Sequence, residues 1–334
     1  MTKKRRNLFC ARILCASILF SLAAPVSAEE TASAVSVEAP EYVLMEPETG
    51  TVILEKDKDV PRSPASVTKV MTLLLIFEEI EKGNLKLDDT VITSAHAKSM
   101  GGSQVFLEEG ETQTVETMIK CIVIASGNDA SVAMAEHIAG NEPEFVNAMN
   151  KKAQALGMKN THFVDCCGLT DSDDHYTTAY DIALMSRELI RKYPEILNYS
   201  SVWMDTITHN TRQGSKEFGL SNTNRLIRTY EGCVGLKTGS TSKAKFCVSA
   251  VAKRKGITLI AVVMAAPDSR TRVKDASMLF DYGFAKCSLY TDENPGKLPD
   301  LKVIKGIKEK TTLTFGKTFR CLSTDCLLYT SDAA

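Results

Sequence analysis

Ser63-Pro64-Ala65-Ser66-Val67-Thr68-Lys69, running on into Val70-Met71-Thr72-Leu73-Leu74-Leu75-Ile76-Phe77, is the stretch on which the reading of this chain turns. The apolar run predicts a buried helix, with Ser63 as N-cap and Pro64 in the first helical position, where a missing N–H costs nothing. Ser66 then falls in the first turn with Lys69 three residues on, so hydroxyl and amine share one helix face. A serine hydroxyl is a poor nucleophile at neutral pH. An amine can take its proton once burial lowers the lysine pKa, and the apolar run supplies that burial. The positive end of the helix dipole also favours negative charge developing at Ser66. The plainer reading is a capped core helix whose lysine reaches out to solvent. Ser240/Lys243 and Ser242/Lys245 repeat the spacing, but neither opens a long apolar helix.

Just upstream, Tyr42–Glu46 and Thr51–Glu55 read as two strands joined by the turn Pro47-Glu48-Thr49-Gly50. After Gly83 the pattern becomes mostly helical. Thr114 caps a segment Val115–Ala125, a second helix runs from about Asp129 to Ile138, and Ser126-Gly127-Asn128 lies in the break. Glycine there lets the backbone turn sharply and a ligand come close, whereas the plainer reading is an ordinary helix cap. Glu142–Leu156 and Tyr180–Tyr193 are further amphipathic helices. Between them, Thr161–Thr178 lacks periodicity and reads as a solvated surface loop in preference to a calcium site. Strands return at Cys233–Lys237, Phe246–Ala252 and Ile257–Met264, followed by a helix Ser269–Phe284 with Val273, Ala276, Phe280 and Phe284 on one face. The economical architecture is α+β: a sheet built from both ends of the chain, with a helical lobe inserted between them.

The strand that ends Gly235-Leu236-Lys237-Thr238-Gly239-Ser240 supplies a third polar group. Lys237 and Thr238 near the end of an edge strand can hold a substrate carboxylate, by charge and by hydroxyl hydrogen bond, and Gly239 keeps that edge clear for substrate. Ser66-x-x-Lys69, Ser126-x-Asn128 and Lys237-Thr238-Gly239 come in a fixed order, each in its own structural context of helix start, inter-helix turn and strand.

The chain has 334 residues, enough for one large domain or two smaller ones. Met1–Ala28 combines Lys3, Lys4, Arg5, Arg6 and Arg12 with a short apolar run and Val26-Ser27-Ala28, the pattern of a secretory signal peptide cut after Ala28. The run is too short for an ordinary membrane span. Its removal takes five of 40 basic residues and none of 41 acids, leaving a net charge of −6 and no support for nucleic-acid binding. Cys10 and Cys15 leave with it. The other eight cysteines show no metal-site spacing, and the sequence leaves thiols or disulfides open. Residues 29–41 read as a linker and residues 42–292 as the main domain. Beyond Asn294-Pro295-Gly296, residues 293–325 suggest the start of a small β-rich domain, truncated here. Residues 326–334 resemble a translated sequencing adapter, and the natural protein is expected to continue past about Asp325.

With these motifs the chain resembles the D-alanyl-D-alanine carboxypeptidases of the low-molecular-mass penicillin-binding proteins. The resemblance covers roughly Tyr42 to Tyr290 and includes Ala125–Ala130 and His175-Tyr176-Thr177-Thr178-Ala179. It implies a β-lactamase/transpeptidase-like antiparallel sheet flanked by helices, and an acyl-serine reaction on a peptidoglycan stem peptide ending in D-Ala-D-Ala. In that scheme Ser66 is the nucleophile, Lys69 its base and Ser126 a proton relay. Asn128 holds the substrate amide, and Lys237 and Thr238 hold the terminal carboxylate beside Gly239. The N–H groups of Ser66 and Ser240 form the oxyanion hole. No metal or cofactor is implied; β-lactams would be covalent inhibitors. The setting would be the outer face of the bacterial cytoplasmic membrane or the cell wall, with membrane contact only through a C-terminal anchor missing here. Alternatives are DD-endopeptidase action on cross-links, a penicillin-binding sensor, and a class A-like β-lactamase. For the last, Glu195-Ile196-Leu197-Asn198 is one residue short of the required Glu-x-x-Leu-Asn spacing, and Gly127 stands where that class has aspartate.

Overall fold

The computed structural model describes residues 35–211, 214–292, 298, 300–304, 310–313 and 319–323. The signal peptide, residues 29–34 of the linker, the Asn294-Pro295-Gly296 boundary and the adapter-like tail lie outside the described residues.

Strands β1 (Glu41–Glu46) and β2 (Thr51–Lys56) form the expected hairpin, in which the Glu46 carboxylate accepts from the N–H groups of Glu48 and Thr49 and Gly50 takes a left-handed φ of +78°. Strands β7 (Cys233–Thr241), β8 (Lys245–Arg254) and β9 (Ile257–Ala266) come from the far end of the domain, four further strands lying in the lobe between. Together they make one antiparallel sheet in the order β2-β1-β9-β8-β7. The sheet is covered on both faces, so β1 is buried at every position and alternates between two cores. Val43 and Met45 pack into one core with helix α1 (Lys69–Glu81), while Tyr42 and Leu44 pack into the other. There they meet Ala276, Leu279 and Phe280 of the long C-terminal helix Ser269–Lys286.

The inserted lobe is built from α2 (Val115–Val123), α3 (Asn128–Ala139), α4 (Glu142–Ala155) and α5 (Ala179–Lys192). Thr114 caps α2 as expected, its hydroxyl accepting from the Thr117 N–H. Helix α1 runs between lobe and sheet and is buried from Lys69 to Phe77. This explains why it is apolar all round and not amphipathic. The lobe is less purely helical than its sequence suggests. Short strands β3 (Thr90–Ile92) and β4 (Thr112–Thr114) pair within it, and β5 (Met204–Thr211) and β6 (Gly214–Ser221) form an eight-pair hairpin. Near the C-terminus, Ser288–Asp292 pairs with Phe319–Ser323 and Leu301–Lys302 with Lys310–Thr311. Among the described residues no helix is long and apolar enough to cross a membrane.

Candidate active site

The start of α1 differs from the expectation. Ser63 caps nothing; Pro64 is the N-cap, and Ala65–Thr68 form a 3-10 turn that only at Lys69 becomes α-helix. Ala65 takes a left-handed φ of +47°, which swings the following Ser66 out of the helix line. Ser66 and Lys69 nevertheless meet, with Nζ 3.0 Å from Oγ.

Lys69 is fully buried, and its surroundings define what it can do. Nζ donates to Asn128 Oδ1 at 2.6 Å and to the Cys167 carbonyl at 2.8 Å, with Ser66 Oγ as the third neighbour. Two of these three are acceptors only. A neutral amine has two N–H bonds and one lone pair, so two carbonyl oxygens take its hydrogens and leave the lone pair facing the hydroxyl. Burial pushes the amine below its ordinary value, against the opposing influence of Cys167, Cys166, Asp165 and Asp129. The arrangement is that of a base aimed at one hydroxyl.

Asn128 opens α3 and is buried. Its Nδ2 donates to the Gly101 carbonyl at 2.7 Å, fixing the amide so that Oδ1 faces Lys69. The sharp turn before it falls on Ser126, with φ +63°, and not on Gly127, whose φ is −57°. Gly127 instead gives room to its neighbour: a Cβ there would sit 2.9 Å from Asp129 Oδ1, whose carboxylate would have to shift. Ser126 is buried beside Asn128 but is not among the hydrogen-bond partners of Lys69.

The third segment lies on β7, the last strand in the sheet order, with Lys237 and Thr238 in mid-strand and not near its end. Gly239 does more than clear a path for substrate. A Cβ on it would be 2.6 Å from the Pro64 carbonyl oxygen and 2.8 Å from Ser66 N, so only glycine lets β7 press against the Ser66 turn. Lys237 is buried; its Nζ donates to the Thr238 carbonyl at 3.0 Å, and burial, then Lys69, then Arg272 hold it well below the ordinary lysine range. The Thr238 hydroxyl donates to Thr223 Oγ1 at 2.7 Å.

Segment 161–178 is not a solvated loop: Phe163, Cys166, Cys167, His175, Thr177 and Thr178 are all buried. The Asp165 carboxylate gathers the N–H groups of Cys167, Gly168 and Thr170, folding the chain so that the Cys167 carbonyl meets Lys69 and the Cys166 carbonyl meets the Thr72 hydroxyl at 2.5 Å. Burial opposes ionisation of Asp165, yet His175 and those N–H groups outweigh it and its carboxyl is lowered. Gly168 has φ +77°, and a Cβ there would collide with the Ala65 carbonyl oxygen at 1.9 Å. The Thr68 hydroxyl donates to the Ala65 carbonyl, so the bond at 2.8 Å from His175 Nε2 must be donated by the ring, while Nδ1 accepts from Val164 N. Burial lowers the His175 pKa and keeps that neutral form.

Cys167, His175, Thr223 and Arg272 were not singled out as site residues by the sequence motifs. Arg272 is buried behind β7, where its Nη1 donates to the carbonyls of Gly239 (3.3 Å) and Cys247 (3.2 Å) and its guanidinium lies 5.7 Å from the Phe246 ring centroid. Burial brings its pKa down to about 10. The one usable signal was the apolar Cys166-Cys167-Gly168 within an otherwise polar loop. Glu195, the glutamate considered for a β-lactamase, is exposed at the start of the short helix Ile196–Ser200 and is not a hydrogen-bond partner of Lys69.

A serine and a buried lysine at the start of a central helix, joined by an asparagine and faced by a second buried lysine on a sheet edge, define a serine–lysine acyl-transfer fold. Comparison with known proteins agrees. The family of D-alanyl-D-alanine carboxypeptidases matches residues 28–268. The chain is 49% identical over 249 residues to the D-alanyl-D-alanine carboxypeptidase DacF of Bacillus subtilis, a match covering 75% of this chain and 63% of that protein. It is 34% identical to DacC of Escherichia coli, over 77% of this chain and 64% of that protein. Among solved structures, penicillin binding protein 5 from Haemophilus influenzae superposes with a TM-score of 0.75 at 30% identity, covering 86% of this chain and 83% of that one. This chain belongs to the D-alanyl-D-alanine carboxypeptidase family.

Proposed function

We propose that the protein is a serine-type D-Ala-D-Ala carboxypeptidase that removes the terminal D-alanine from peptidoglycan stem pentapeptides and is acylated by penicillins. Ser66 Oγ attacks the penultimate D-Ala carbonyl as its proton passes to Lys69. The new O–C bond forms, the C–N bond to the terminal D-Ala breaks, and the departing amine takes a proton relayed through Ser126. Water then attacks the acyl-serine as its proton passes to Lys69; the ester C–Oγ bond breaks, Lys69 returns that proton to Ser66 Oγ, and the shortened peptide leaves. The N–H groups of Ser66 and Ser240 hold the carbonyl oxygen as it gains charge. Asn128 positions both Lys69 and the substrate amide.

Lys237, Thr238 and Gly239 line the site for the terminal carboxylate. Burial and then the nearby Lys69 hold the Lys237 amine down, so the two buried amines carry one proton between them more readily than two. A carboxylate arriving at Lys237 draws that proton there and leaves Lys69 as the free amine. Substrate binding therefore prepares the base. Substrate class, β-lactam acylation and action outside the cytoplasmic membrane all rest on the family likeness, since the chain spans less than two thirds of several relatives.

The observation that carries this reading is the pair of carbonyl acceptors, Asn128 Oδ1 and Cys167 O, that turn the Lys69 lone pair to Ser66. It is tested by incubating the mature chain with a D-Ala-D-Ala pentapeptide and measuring free D-alanine, beside Ser66→Ala. Release by the first and not the second is expected. A stoichiometric penicillin adduct without D-alanine release would instead make the protein a sensor.

A further inference from the structure

The loop that Asn128 anchors continues into a second feature. Asn128 N donates to the Ser103 carbonyl, and the next two turns are fastened by Asp129, whose carboxylate accepts from Val105 N and Leu107 N. Between those two buried residues Phe106 is thrown outward, 63% exposed, at a left-handed φ of +62° that a bulky residue adopts only under constraint. Its ring meets Phe218 of β6 edge-on, with centroids 5.8 Å apart, and the two aromatics line a cleft of about 410 Å³ with His209, Glu108, Ser215 and Lys216.

His209 makes this a built site. It is buried, and its Nδ1 lies 2.8 Å from Glu111 Oε1. The Glu111 carboxylate is itself fixed, accepting from Gln113 Nε2 and from Glu108 N. Glu111 does not line the cleft, whereas His209 does, its ring edge-on to Phe218 with centroids 5.5 Å apart. Nε2 is buried and has no hydrogen-bond partner. A buried polar atom is rarely left so unless a water, an ion or a ligand group completes it.

We propose that this cleft is a subsite for a sugar ring of the glycan strand that carries the stem peptide. The proposal rests on the carboxypeptidase reading given above. Aromatic faces accept the C–H face of a pyranose, and a hydroxyl can pair with Nε2 whether that nitrogen carries a proton or not, since it both donates and accepts. A purely peptide occupant would leave the exposed Phe106 ring without so matched a partner. Phe106 is five residues beyond Gly101, whose carbonyl holds Asn128, a reach of at most about 18 Å along the loop. The four stem-peptide residues upstream of the scissile bond extend over about 14 Å, a comparable reach.

The test compares kcat/KM for free pentapeptide with that for the same pentapeptide on N-acetylglucosaminyl-N-acetylmuramic acid, using the mature chain and its Phe106→Ala and His209→Gln variants. The disaccharide substrate is expected to be preferred. In Phe106→Ala the ratio of the two values should fall by about tenfold, equivalent to about 1.4 kcal/mol. A ratio that is the same in wild type and variant overturns the proposal. Binding of the free disaccharide to the Ser66→Ala chain, followed by calorimetry, separates the two readings. Saturable binding that Phe106→Ala abolishes supports the subsite even if no pentapeptide is cleaved. Cleavage of both pentapeptides without disaccharide binding leaves the enzyme and removes the subsite.

Discussion

In the proposed mechanism Lys69 can serve as base because it is buried without a carboxylate partner, so its charge is expensive while its hydrogen bonds are complete. Replacing it by methionine keeps the volume and removes the base. Acylation of Ser66 by benzylpenicillin is expected to slow by about 10²–10⁴-fold, with the fold unchanged by circular dichroism. The amine must lose its proton to act, and its pKa is lowered by burial, so acylation should rise with pH on a limb centred below the ordinary lysine value of 10.5. The sign for stability is the same. Between the folded and ordinary values the unfolded chain binds more protons, so stability gains with pH across that window, and the cost of the buried charge is fully present below it. Lys237 has a different task. Lys237→Ala should weaken binding of carboxylate-bearing substrates by about 1.5–3 kcal/mol, the range for hydrogen bonds to charged groups, seen mainly in KM. A change confined to kcat would contradict its role as an anchor.

At the scale of elements, the site depends on two close backbone approaches that only glycine permits. Gly168→Ala places a methyl group in the Ala65 carbonyl and forces a side chain into φ +77°. Thermal unfolding should report a loss of roughly 2–5 kcal/mol, and penicillin acylation should fall with it because the Cys167 carbonyl moves. The helices α1 to α5, the hairpin β1–β2 and the strands β7 to β9 were legible because each has an apolar run or period along its length and clear turn residues at its ends. Ser66, Lys69 and Asn128 stand out in the sequence as spaced polar residues at the starts of helical segments, and Lys237 and Thr238 as polar residues within an apolar strand. The β5–β6 hairpin was not, since Met204–Thr211 and Gly214–Ser221 bury little beyond Ile207, His209 and Leu220 and carry weak alternation. Segment 161–178 misled because its order comes from side-chain to backbone bonds of Asp165, His175 and Thr178, which leave no periodic trace. The left-handed turns at Ala65 and Ser126 are imposed by packing on residues with no preference for them.

Across the whole molecule, the sheet of two chain ends and the inserted lobe enclose Cys121, Cys166, Cys167, Cys233, Cys247 and Cys287 as buried thiols. Burial raises Cys233 and Cys247 to about 11, so little thiolate exists at pH 8. Iodoacetamide at pH 8 should leave these six unmodified in the native chain and label all six in urea. Rapid native labelling at Cys166 or Cys167 would show that the floor of the site opens. The same enclosure brings Lys69 to the Ser66 hydroxyl and Asn128 to Lys69. The most direct test of that convergence is time-resolved mass spectrometry of the mature protein with benzylpenicillin over a range of pH. One adduct per chain, on the Ser66 peptide and forming faster as pH rises toward 10, is the predicted result. An adduct on another residue, or a Ser66 adduct whose rate is indifferent to pH, would contradict a neutral Lys69 as its base.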